Sequence, residues 1–450
     1  MRARLEARRK AHLNELDGLA LFSGVPREPG SENIWVMNGL RIFQEPALIH
    51  LTGINQPGII LALDPVGTEK VILFLPPKDS TKEFWDGVRL GYPLSPEANQ
   101  ADLEEVTALT GIEDLRPVQE FEAWFQKRIK SRSTDYCYAF YHQYADPKGG
   151  PDLISSQDHN FAFKTRLETL ATAVHKKIIV KTCVNLHFKL RLPLEPEQVK
   201  DALYANEITG EAFAETLKQV KRFKNENEAA AYLEWGMRKR SEFGLSFPSI
   251  VASGRNATIL HYLKNDAPID SKGMLLMDFG ARWGTMHADI TRTIPVTGRF
   301  NPLQALLYEI VLEAQISHEK AVKPGATIRS LNDAVWLRLE TLLDARFLSK
   351  GGKMQRAYTQ KPHGVSHLMG EQEHDGDPHR LYQDLPLQVG WQLSNEPGLY
   401  GHFSISIRGK RYQEWVGIRI EDDLLVTAKG CKNLSAMVPK DIPTLQKMMS

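Results

Sequence analysis

Two carboxylates lie eleven residues apart in residues 274–293, which read MLLMDFGARWGTMHADITRT. Asp278 ends an apolar run, and Asp289 precedes a β-branched run. Two strands joined by a turn through the intervening glycines would form a hairpin that brings both carboxylates to one end. Buried carboxylates repel each other and need a partner of opposite charge, for which one or two divalent metal ions are candidates. Aspartates at strand ends also serve as turn formers or helix caps, so the pair alone does not define a site.

Three segments downstream carry residues that could complete a metal site. His363 and His367 stand four residues apart between glycines, which favours a loop or strand over a helix. Glu396 ends a strand-like run and is followed by a Pro-Gly turn. In the segment GIRIEDD, strand alternation puts Arg419 and Glu421 on one face. Each segment also has a structural interpretation: a hydrogen-bonded core histidine, a turn, or an amphipathic strand with an Arg–Glu pair at the surface.

Taken together, the segments resemble the pita-bread metallopeptidases, a group that contains methionine aminopeptidase, aminopeptidase P (Xaa-Pro aminopeptidase) and prolidase. The words DFG, DITRT, HGVSH, EPGLY and RIEDD carry the resemblance, which covers residues 190–440. The family binds metal through two aspartates, one histidine and two glutamates in that chain order. The matching residues of this sequence are Asp278, Asp289, His367, Glu396 and Glu421.

The resemblance implies a role for each ligand. Asp289 and Glu421 bridge two divalent ions, Asp278 binds one of the ions, and His367 and Glu396 bind the other. An oxygen-rich set with one imidazole suits Mn²⁺ and tolerates Co²⁺ or Zn²⁺. A water between two such ions has its pKa lowered to about 7 and can attack an amide carbonyl. Glu396 is the candidate for carrying the proton from that water to the leaving nitrogen.

The same resemblance implies further residues around the metals. His261 matches a histidine that contacts the substrate. His363 and His374 match residues that contact the substrate and stabilise the tetrahedral intermediate. Arg419 matches an arginine that supports the site, and Thr291 matches a group that supports the metal ligands. A purely structural role remains the alternative for His261 and for His363.

The elements that position these residues fall into two predicted domains. Residues 1–175 predict an α/β N-terminal domain, and residues 190–450 predict an α+β domain, for which the resemblance implies the pita-bread fold and catalysis. In the first domain we expect a surface helix over residues 1–16, strands over 19–22, 47–52, 58–63 and 71–75, a helix over 121–130 and a loop over 148–159. In the second we expect a kinked or partly buried helix from 197, a helix over 226–243, a helical block over 303–347, and strands over 249–252, 259–262, 391–395 and 416–427 beside the hairpin.

Composition excludes several classes of protein. The 450 residues carry a net charge of +1, with 42% hydrophobic and 25% charged residues, so no broad attraction to nucleic acid or anionic membranes is expected. The three cysteines are far apart and show no CxxC spacing, which disfavours a disulfide scaffold and fits a reducing compartment. The N-terminal residues lack the apolar core of a signal peptide, and no apolar run is long enough to span a bilayer. We expect a cytoplasmic protein.

Substrate class depends on the first domain. Proline removes an N–H group and fixes the backbone, so a bond before proline needs its own pocket. The long N-terminal domain, including EFWDGVRLG at residues 83–91, resembles aminopeptidase P. This implies an Xaa-Pro aminopeptidase that acts on peptides with proline in the second position. The alternatives are prolidase, which cleaves only dipeptides, and, from another class, a non-catalytic pita-bread module that binds peptides; such modules lose metal ligands, whereas this chain has all five.

Some positions depart from the family pattern. The run after the histidine loop contains Glu371 and Glu373, which add negative charge near the site. Asn395 replaces the usual Val or Thr, and Asn38 is the nearest match to an acidic residue of the N-terminal domain. These departures bear on substrate preference more than on metal binding. Relatives often pair through the N-terminal domain, with the tryptophan that matches Trp85 near a neighbour's active site, so we expect a homodimer or homotetramer.

Overall fold

The computed structural model describes residues 1–25, 44–94, 101–141, 159–376 and 380–450. The chain forms two compact units, one of residues Met1–Arg191 and the other of Leu192–Gly376 with Leu381–Ser450. None of the helices in the described ranges combines the length and the apolar character that a membrane crossing requires.

The first unit is α/β. Its described strands are β1 (Ala20–Ser23), β2 (Ile60–Leu63), β3 (Val71–Leu75), β4 (Asp114–Pro117), β5 (Tyr136–Ala139) and β6 (Ile179–Thr182). They form one mixed sheet in the order β4-β3-β2-β1-β5-β6, with β1 antiparallel to β2 and parallel to β5. The described helices are α1 (Arg2–Glu15), α2 (Pro46–Thr52), α3 (Ser80–Asp86), α4 (Ala101–Thr110), α5 (Phe121–Lys130), α6 (His159–Ala173) and α7 (Val184–Arg191).

Several predictions for this unit are confirmed and two are wrong. Helix α5 has the predicted bounds, and strands β1, β2 and β3 lie where strands were expected. The segment predicted as a strand over 47–52 is helix α2, because Glu45 caps it through the Ala47 N–H, Pro46 starts it, and Gly53 ends it at φ 72°. The N-terminal helix is more than a surface helix, since Leu5 and His12 are buried. Asn38 and the predicted loop up to residue 158 lie outside the described residues.

The second unit is α+β, and its described strand pairs are all antiparallel. Its helices are α8 (Pro196–Leu217), α9 (Glu226–Arg238), α10 (Pro302–Ala321), α11 (Ile328–Arg346) and α12 (Ile442–Met448). Its strands are β7 (Ile250–Ser253), β8 (Met274–Phe279), β9 (Arg282–Trp283), β10 (Met286–His287), β11 (Ile290–Pro295), β12 (Lys353–Arg356), β13 (Leu368–Met369), β14 (Gln392–Asn395), β15 (Gly398–Ile407), β16 (Lys410–Arg419), β17 (Asp422–Thr427) and β18 (Gly430–Asn433). The larger sheets have the orders β11-β8-β7, β12-β15-β16 and β13-β14-β17-β18.

The predicted hairpin is confirmed as the pair β8 and β11. The register places Asp278 opposite Thr291 and Phe279 opposite Ile290, so Asp278 and Asp289 lie at the same end. Between the strands, Gly280 passes so close to the neighbouring backbone that a Cβ atom would meet the carbonyl oxygen of Ala288 at 1.7 Å. Glycine is therefore required where the chain leaves β8, and its small size lets the two carboxylates approach.

Two strand predictions for this unit are wrong. The segment 259–262 follows a 3₁₀ helix, Gly254–Thr258, and is not a strand, because its residues are anchored through side chains instead of a ladder. The predicted strand over 416–427 is divided between β16 and β17, which belong to different sheets. The division falls at Glu421, whose N–H donates to the carbonyl of Thr291 over 3.0 Å. Arg419 and Glu421 are 4% and 2% exposed, so the interpretation as a surface pair is also wrong.

The helix predictions needed smaller corrections. Helix α8 runs unbroken through Asn206 and Gly210, because Asn206 is buried and its Nδ2 donates to Asp423 Oδ2 over 2.8 Å. Helix α9 ends at Arg238 and not at residue 243, although Gly244 suggested an end there. Gly244 does adopt a left-handed conformation, but in the turn that follows the helix. The block predicted over 303–347 is the helix pair α10 and α11.

A buried ion pair fixes the hairpin to β17. Arg292 of β11 has no exposed surface, and its Nη2 donates to Asp422 Oδ1 over 2.6 Å. The same nitrogen donates to the carbonyl of Val438 over 2.9 Å. Burial alone would favour the neutral carboxyl, but the charges of Arg292 and Lys440 lower the pKa of Asp422 to about 2. Asp422 is therefore ionised, and the pair is matched in charge.

Replacing Arg292 with methionine should lower the free energy of unfolding by about 3–5 kcal/mol, because Asp422 would lose its main partner while remaining buried. Urea unfolding measures this loss. The control is Arg346→Met, since Arg346 is 40% exposed in its pair with Glu313 and its replacement should cost within about 0.5 kcal/mol. Equal losses in the two variants would contradict the importance of the buried pair.

Candidate active site

The five predicted metal ligands all lie at strand ends or between consecutive strands of the second unit. Asp278 is the penultimate residue of β8, and Asp289 immediately precedes β11. His367 precedes β13, Glu396 connects β14 to β15, and Glu421 connects β16 to β17. Each of the three larger sheets therefore supplies ligands to one cluster.

The centre of the cluster consists of three of the predicted ligands. Asp289, His367 and Glu421 are buried, and one ligand atom of each lies within 4.8 Å of the others. Glu396 joins through the imidazole, since its Oε1 is 3.6 Å from His367 Nε2. The same nitrogen is 3.6 Å from Asp289 Oδ2. Four of the five predicted ligands thus meet around one point.

Asp278 contributes from the side of Arg419. Arg419 Nη2 donates to Asp278 Oδ2 over 2.5 Å. The other oxygen, Oδ1, is buried and has no hydrogen-bond partner within the described ranges. Burial and then the neighbouring carboxylates raise the pKa values of Asp289 and Glu421 well above the ordinary range. Asp278 is one of these neighbouring carboxylates for both residues. Asp278 therefore belongs to the same electrostatic cluster, with one oxygen left to bind a ligand.

The donor set fits divalent cations. Burial also raises the pKa of Glu396 above its ordinary value. Carboxylates that are hard to ionise together become stable anions when a cation lies between them. Four carboxylates and one imidazole offer hard oxygen ligands with a single nitrogen, a combination that divalent metal ions accept.

His367 is oriented as a ligand through Nε2. Its Nδ1–H donates to the carbonyl of Leu368 over 3.1 Å, so in the neutral imidazole Nε2 is the nitrogen without a proton, and Nε2 is directed at the carboxylates. Its backbone N–H donates to Ser394 Oγ over 3.0 Å, and that hydroxyl lies 3.3 Å from Glu396 Oε1. Ser394 therefore links the positions of two ligands.

Arg419 connects the ligands to a tyrosine. Besides its bond to Asp278, Arg419 donates from Nε to Thr291 Oγ1 over 3.0 Å and from Nη1 to Tyr400 OH over 3.3 Å. Thr291 in turn donates to Glu421 Oε2 over 2.6 Å. Tyr400 was not predicted as a site residue, although it stands in the word EPGLY that identified Glu396. Its position in that word was the feature of the sequence that could have identified Tyr400 as a site residue.

His363 lies beside this network as a neutral imidazole. Burial, and next the charge of Arg419, lower the pKa of His363 to about 4. Its Nδ1–H donates to the carbonyl of Gly364 over 2.8 Å, and its Nε2 accepts from Tyr400 OH over 2.9 Å. Nδ1 is also 3.6 Å from Glu396 Oε2. The ring is thus held at the site by three neighbours.

The other two predicted histidines are more exposed. The ring of His374 stacks on that of His367, with ring centroids 4.1 Å apart. His261 is exposed, and after burial and Arg419 its charge is a minor cause of the lowered pKa of His363. His374 therefore contacts a predicted ligand, and His261 lies within electrostatic range of His363.

The departures from the family pattern separate into different roles. Glu371 is buried, and its Oε1 accepts from Gln198 Nε2 over 2.7 Å. Glu373 faces the site instead, since burial and then the charges of Asp278 and Glu396 raise its pKa to about 8. Asn395 is buried and donates from Nδ2 to the carbonyl of Gln315 over 3.1 Å. Of the three, only Glu373 interacts electrostatically with the ligand cluster, and with this raised pKa it is mostly protonated at neutral pH.

Comparison with known proteins identifies the family. The family model described as metallopeptidase family M24 matches residues 201–428, and the one described as aminopeptidase P, N-terminal domain, matches residues 5–138. The Xaa-Pro aminopeptidase of Haemophilus influenzae is 30% identical, with 98% of this chain and 95% of that protein covered. Xaa-Pro aminopeptidase 3 of Rattus norvegicus is also 30% identical, with 90% of this chain and 76% of that protein covered.

A solved structure extends the agreement to the fold. The aminopeptidase PepP of Pseudomonas aeruginosa has a TM-score of 0.79 at 25% identity, with 100% of this chain and 98% of that chain covered. The match includes both units, and it confirms the predicted architecture of an N-terminal α/β domain and a pita-bread domain. The chain therefore belongs to the metallopeptidase family M24, as a member of its aminopeptidase P group.

Proposed function

We propose that the protein is an Xaa-Pro aminopeptidase, which hydrolyses the bond between an N-terminal residue and a following proline. The buried cluster of Asp289, His367 and Glu421 is the observation that carries this proposal. Relatives named Xaa-Pro aminopeptidase support it, because one of them matches the chain over nearly its whole length.

The proposed metal ligands are Asp278, Asp289, His367, Glu396 and Glu421, which would hold two divalent ions. We propose Mn²⁺ as the native metal because the donors are mostly oxygens, with Co²⁺ or Zn²⁺ as alternatives. When bound, such ions polarise the amide carbonyl and lower the pKa of water.

The side chains around the ligands have distinct proposed roles. Glu396 would carry a proton towards the leaving nitrogen, a role that its carboxylate oxygens support by lying 3.6 Å from His367 Nε2 and 3.6 Å from His363 Nδ1. Arg419 keeps Asp278 and Tyr400 in place. His261, His363 and His374 would contact the substrate or stabilise the tetrahedral intermediate. Because His363 is neutral and hydrogen-bonded to Tyr400, these two residues would act together.

Two alternative functions differ from this proposal in the substrate or in the absence of catalysis. A prolidase would use the same ligands but accept only dipeptides. A non-catalytic peptide-binding module would not need the buried carboxylate cluster, and modules of that kind lose ligands that this chain retains. The presence of all five ligand residues in matching words therefore favours an enzyme.

We also propose a setting for the enzyme. Residues 1–175 would form an aminopeptidase P-like N-terminal domain and residues 190–450 the catalytic domain. The three cysteines are unpaired thiols, as expected for the cytoplasm. We propose a homodimer or homotetramer, because Phe84 and Trp85 are 85% and 78% exposed on α3 and form an apolar surface.

Replacing Glu421 with glutamine should remove metal binding and lower kcat/KM more than about 100-fold, because it deletes a proposed bridging carboxylate. Metal content by mass spectrometry and hydrolysis of Arg-Pro-Pro measure the two effects. EDTA should inactivate the wild type, and Mn²⁺ should restore it. The control is Glu414→Gln, since Glu414 accepts from Gln304 Nε2 over 3.0 Å outside the cluster. A Glu421→Gln enzyme with full metal content and activity would contradict the assignment.

Substrate length separates aminopeptidase from dipeptidase. The wild type should hydrolyse Arg-Pro-Pro and leave Ala-Ala-Ala intact, because only the first peptide presents a bond before proline. Activity on Gly-Pro alone would identify a prolidase instead. A protein that binds these peptides but hydrolyses none of them in the presence of Mn²⁺ would be a binding module.

Replacing Trp85 with serine should shift the oligomer towards smaller species, because it removes a large exposed apolar side chain from α3. Sedimentation velocity measures the change. The control is Trp235→Ser, since Trp235 is 52% exposed on α9, in the other unit. An unchanged distribution for Trp85→Ser would place the interface elsewhere.

A further inference from the structure

The loop between β7 and β8 carries His261 but is not part of a sheet. It begins with the 3₁₀ helix Gly254–Thr258 and continues through a turn to His261. His261 is exposed, so packing in the core does not fix its position. If this histidine contacts the substrate, other residues must hold the loop.

Glu226, in the first turn of α9, is the residue that holds the loop. Its side chain has no exposed surface. Oε1 accepts from the Ser253 N–H over 2.7 Å and from Asn256 Nδ2 over 3.1 Å. Oε2 accepts from Tyr262 OH over 2.8 Å and from the Ala267 N–H over 3.0 Å. We call these contacts the Glu226 clamp; they join the start, the middle and the end of the loop.

Tyr262 is the contact of the clamp nearest to His261. Its hydroxyl also accepts from Asn256 Nδ2 over 2.9 Å and lies 3.0 Å from Asp266 Oδ1. Burial, followed by its hydrogen bond to Glu226, raises the pKa of Tyr262 above its ordinary value, so the hydroxyl keeps its proton. The residue that follows His261 is therefore tied to the clamp at neutral pH.

A second contact supports the loop from the side of β16. Gly417 lies so close to the 3₁₀ helix that a Cβ atom would meet the carbonyl oxygen of Ala257 at 1.9 Å. Two residues further along the same strand is Arg419, which contacts Asp278 and Thr291. The loop that carries His261 is thus packed on the strand that carries the arginine of the site.

The four donors explain why residue 226 is a carboxylate. A buried carboxylate is costly unless hydrogen bonds satisfy both of its oxygens, and here neutral donors satisfy them in pairs. A glutamine offers only one acceptor oxygen and would turn its NH₂ group towards two of the donors. The residue type is therefore set by the loop and not by an ion pair.

We propose that Glu226 is a positioning residue that acts through His261. The clamp fixes the loop before the substrate binds, so that the imidazole of His261 is already in place. This inference rests on the proposed function, because it assigns His261 a contact with the peptide. A site whose contacts are fixed in advance loses less free energy in ordering them.

A double-mutant cycle between Tyr262 and His261 tests the proposal. Tyr262→Phe should lower kcat/KM for Arg-Pro-Pro about tenfold, since it removes one hydrogen bond to a carboxylate. His261→Ala should lower it at least as much. In the His261→Ala enzyme, adding Tyr262→Phe should cause no further loss. Metal content should stay at the wild-type level in all three variants.

The matched control is Tyr141→Phe in the first unit, where the buried hydroxyl of Tyr141 donates to the carbonyl of Val180 over 3.0 Å. It removes a comparable hydrogen bond and should leave kcat/KM unchanged. A loss that multiplies in the His261→Ala background would show a general structural effect and overturn the proposal. Full activity of His261→Ala in an active wild-type context would overturn it as well. An inactive wild type would instead refute the proposed function, and the clamp with it.

Discussion

The mutual repulsion of four clustered carboxylates, three of them buried, is the constraint on which the second unit depends. Asp289, Glu396 and Glu421 are each harder to ionise than ordinary carboxyl groups because loss of solvent and neighbouring negative charges disfavour the anions. The fold supplies one arginine, Arg419, and a few hydroxyl and backbone donors against this charge. That supply is too small to neutralise the cluster, and a cation of higher charge resolves the conflict.

Hydrogen bonds and an ion pair hold the segments that carry these carboxylates in fixed positions. Thr291, directly opposite Asp278 in the hairpin, donates to Glu421, so that one hydroxyl joins two sheets. Arg292, the next residue, faces the other way and pairs with Asp422, which follows Glu421. Alternation along two short segments thus gives one face to the metal ligands and the opposite face to a structural ion pair. The strand that presents the predicted ligands is therefore held in place by Arg292 and Asp422, whose side chains point to the opposite face.

The sequence predicted which residues form the cluster better than it predicted the elements around them. The five predicted ligand residues each stand in a recognisable word, and the apolar run before Asp278, with the turn residues that follow it, predicted a strand. In contrast, residues 47–52 are β-prone but become a helix, because Glu45, Pro46 and Gly53 define its ends. The clamp of Glu226 could not be foreseen, since its donors are backbone groups and side chains whose spatial positions follow only from the fold. Short sequence words thus predict the residues of the candidate site, whereas hydrogen bonds between distant segments determine the conformation of the loops.

The division between β16 and β17 has a consequence for how the protein folds. Glu421 lies where the chain passes from one sheet to another, and Asp289, its neighbour in the cluster, is 132 residues earlier in the sequence. No local segment contains the whole cluster, so its assembly requires contacts between residues far apart in the sequence, and closing those loops costs conformational entropy. Occupancy by metal would then report the completion of folding, and a chain captured before that step would expose a set of separated acids with little affinity for any ion.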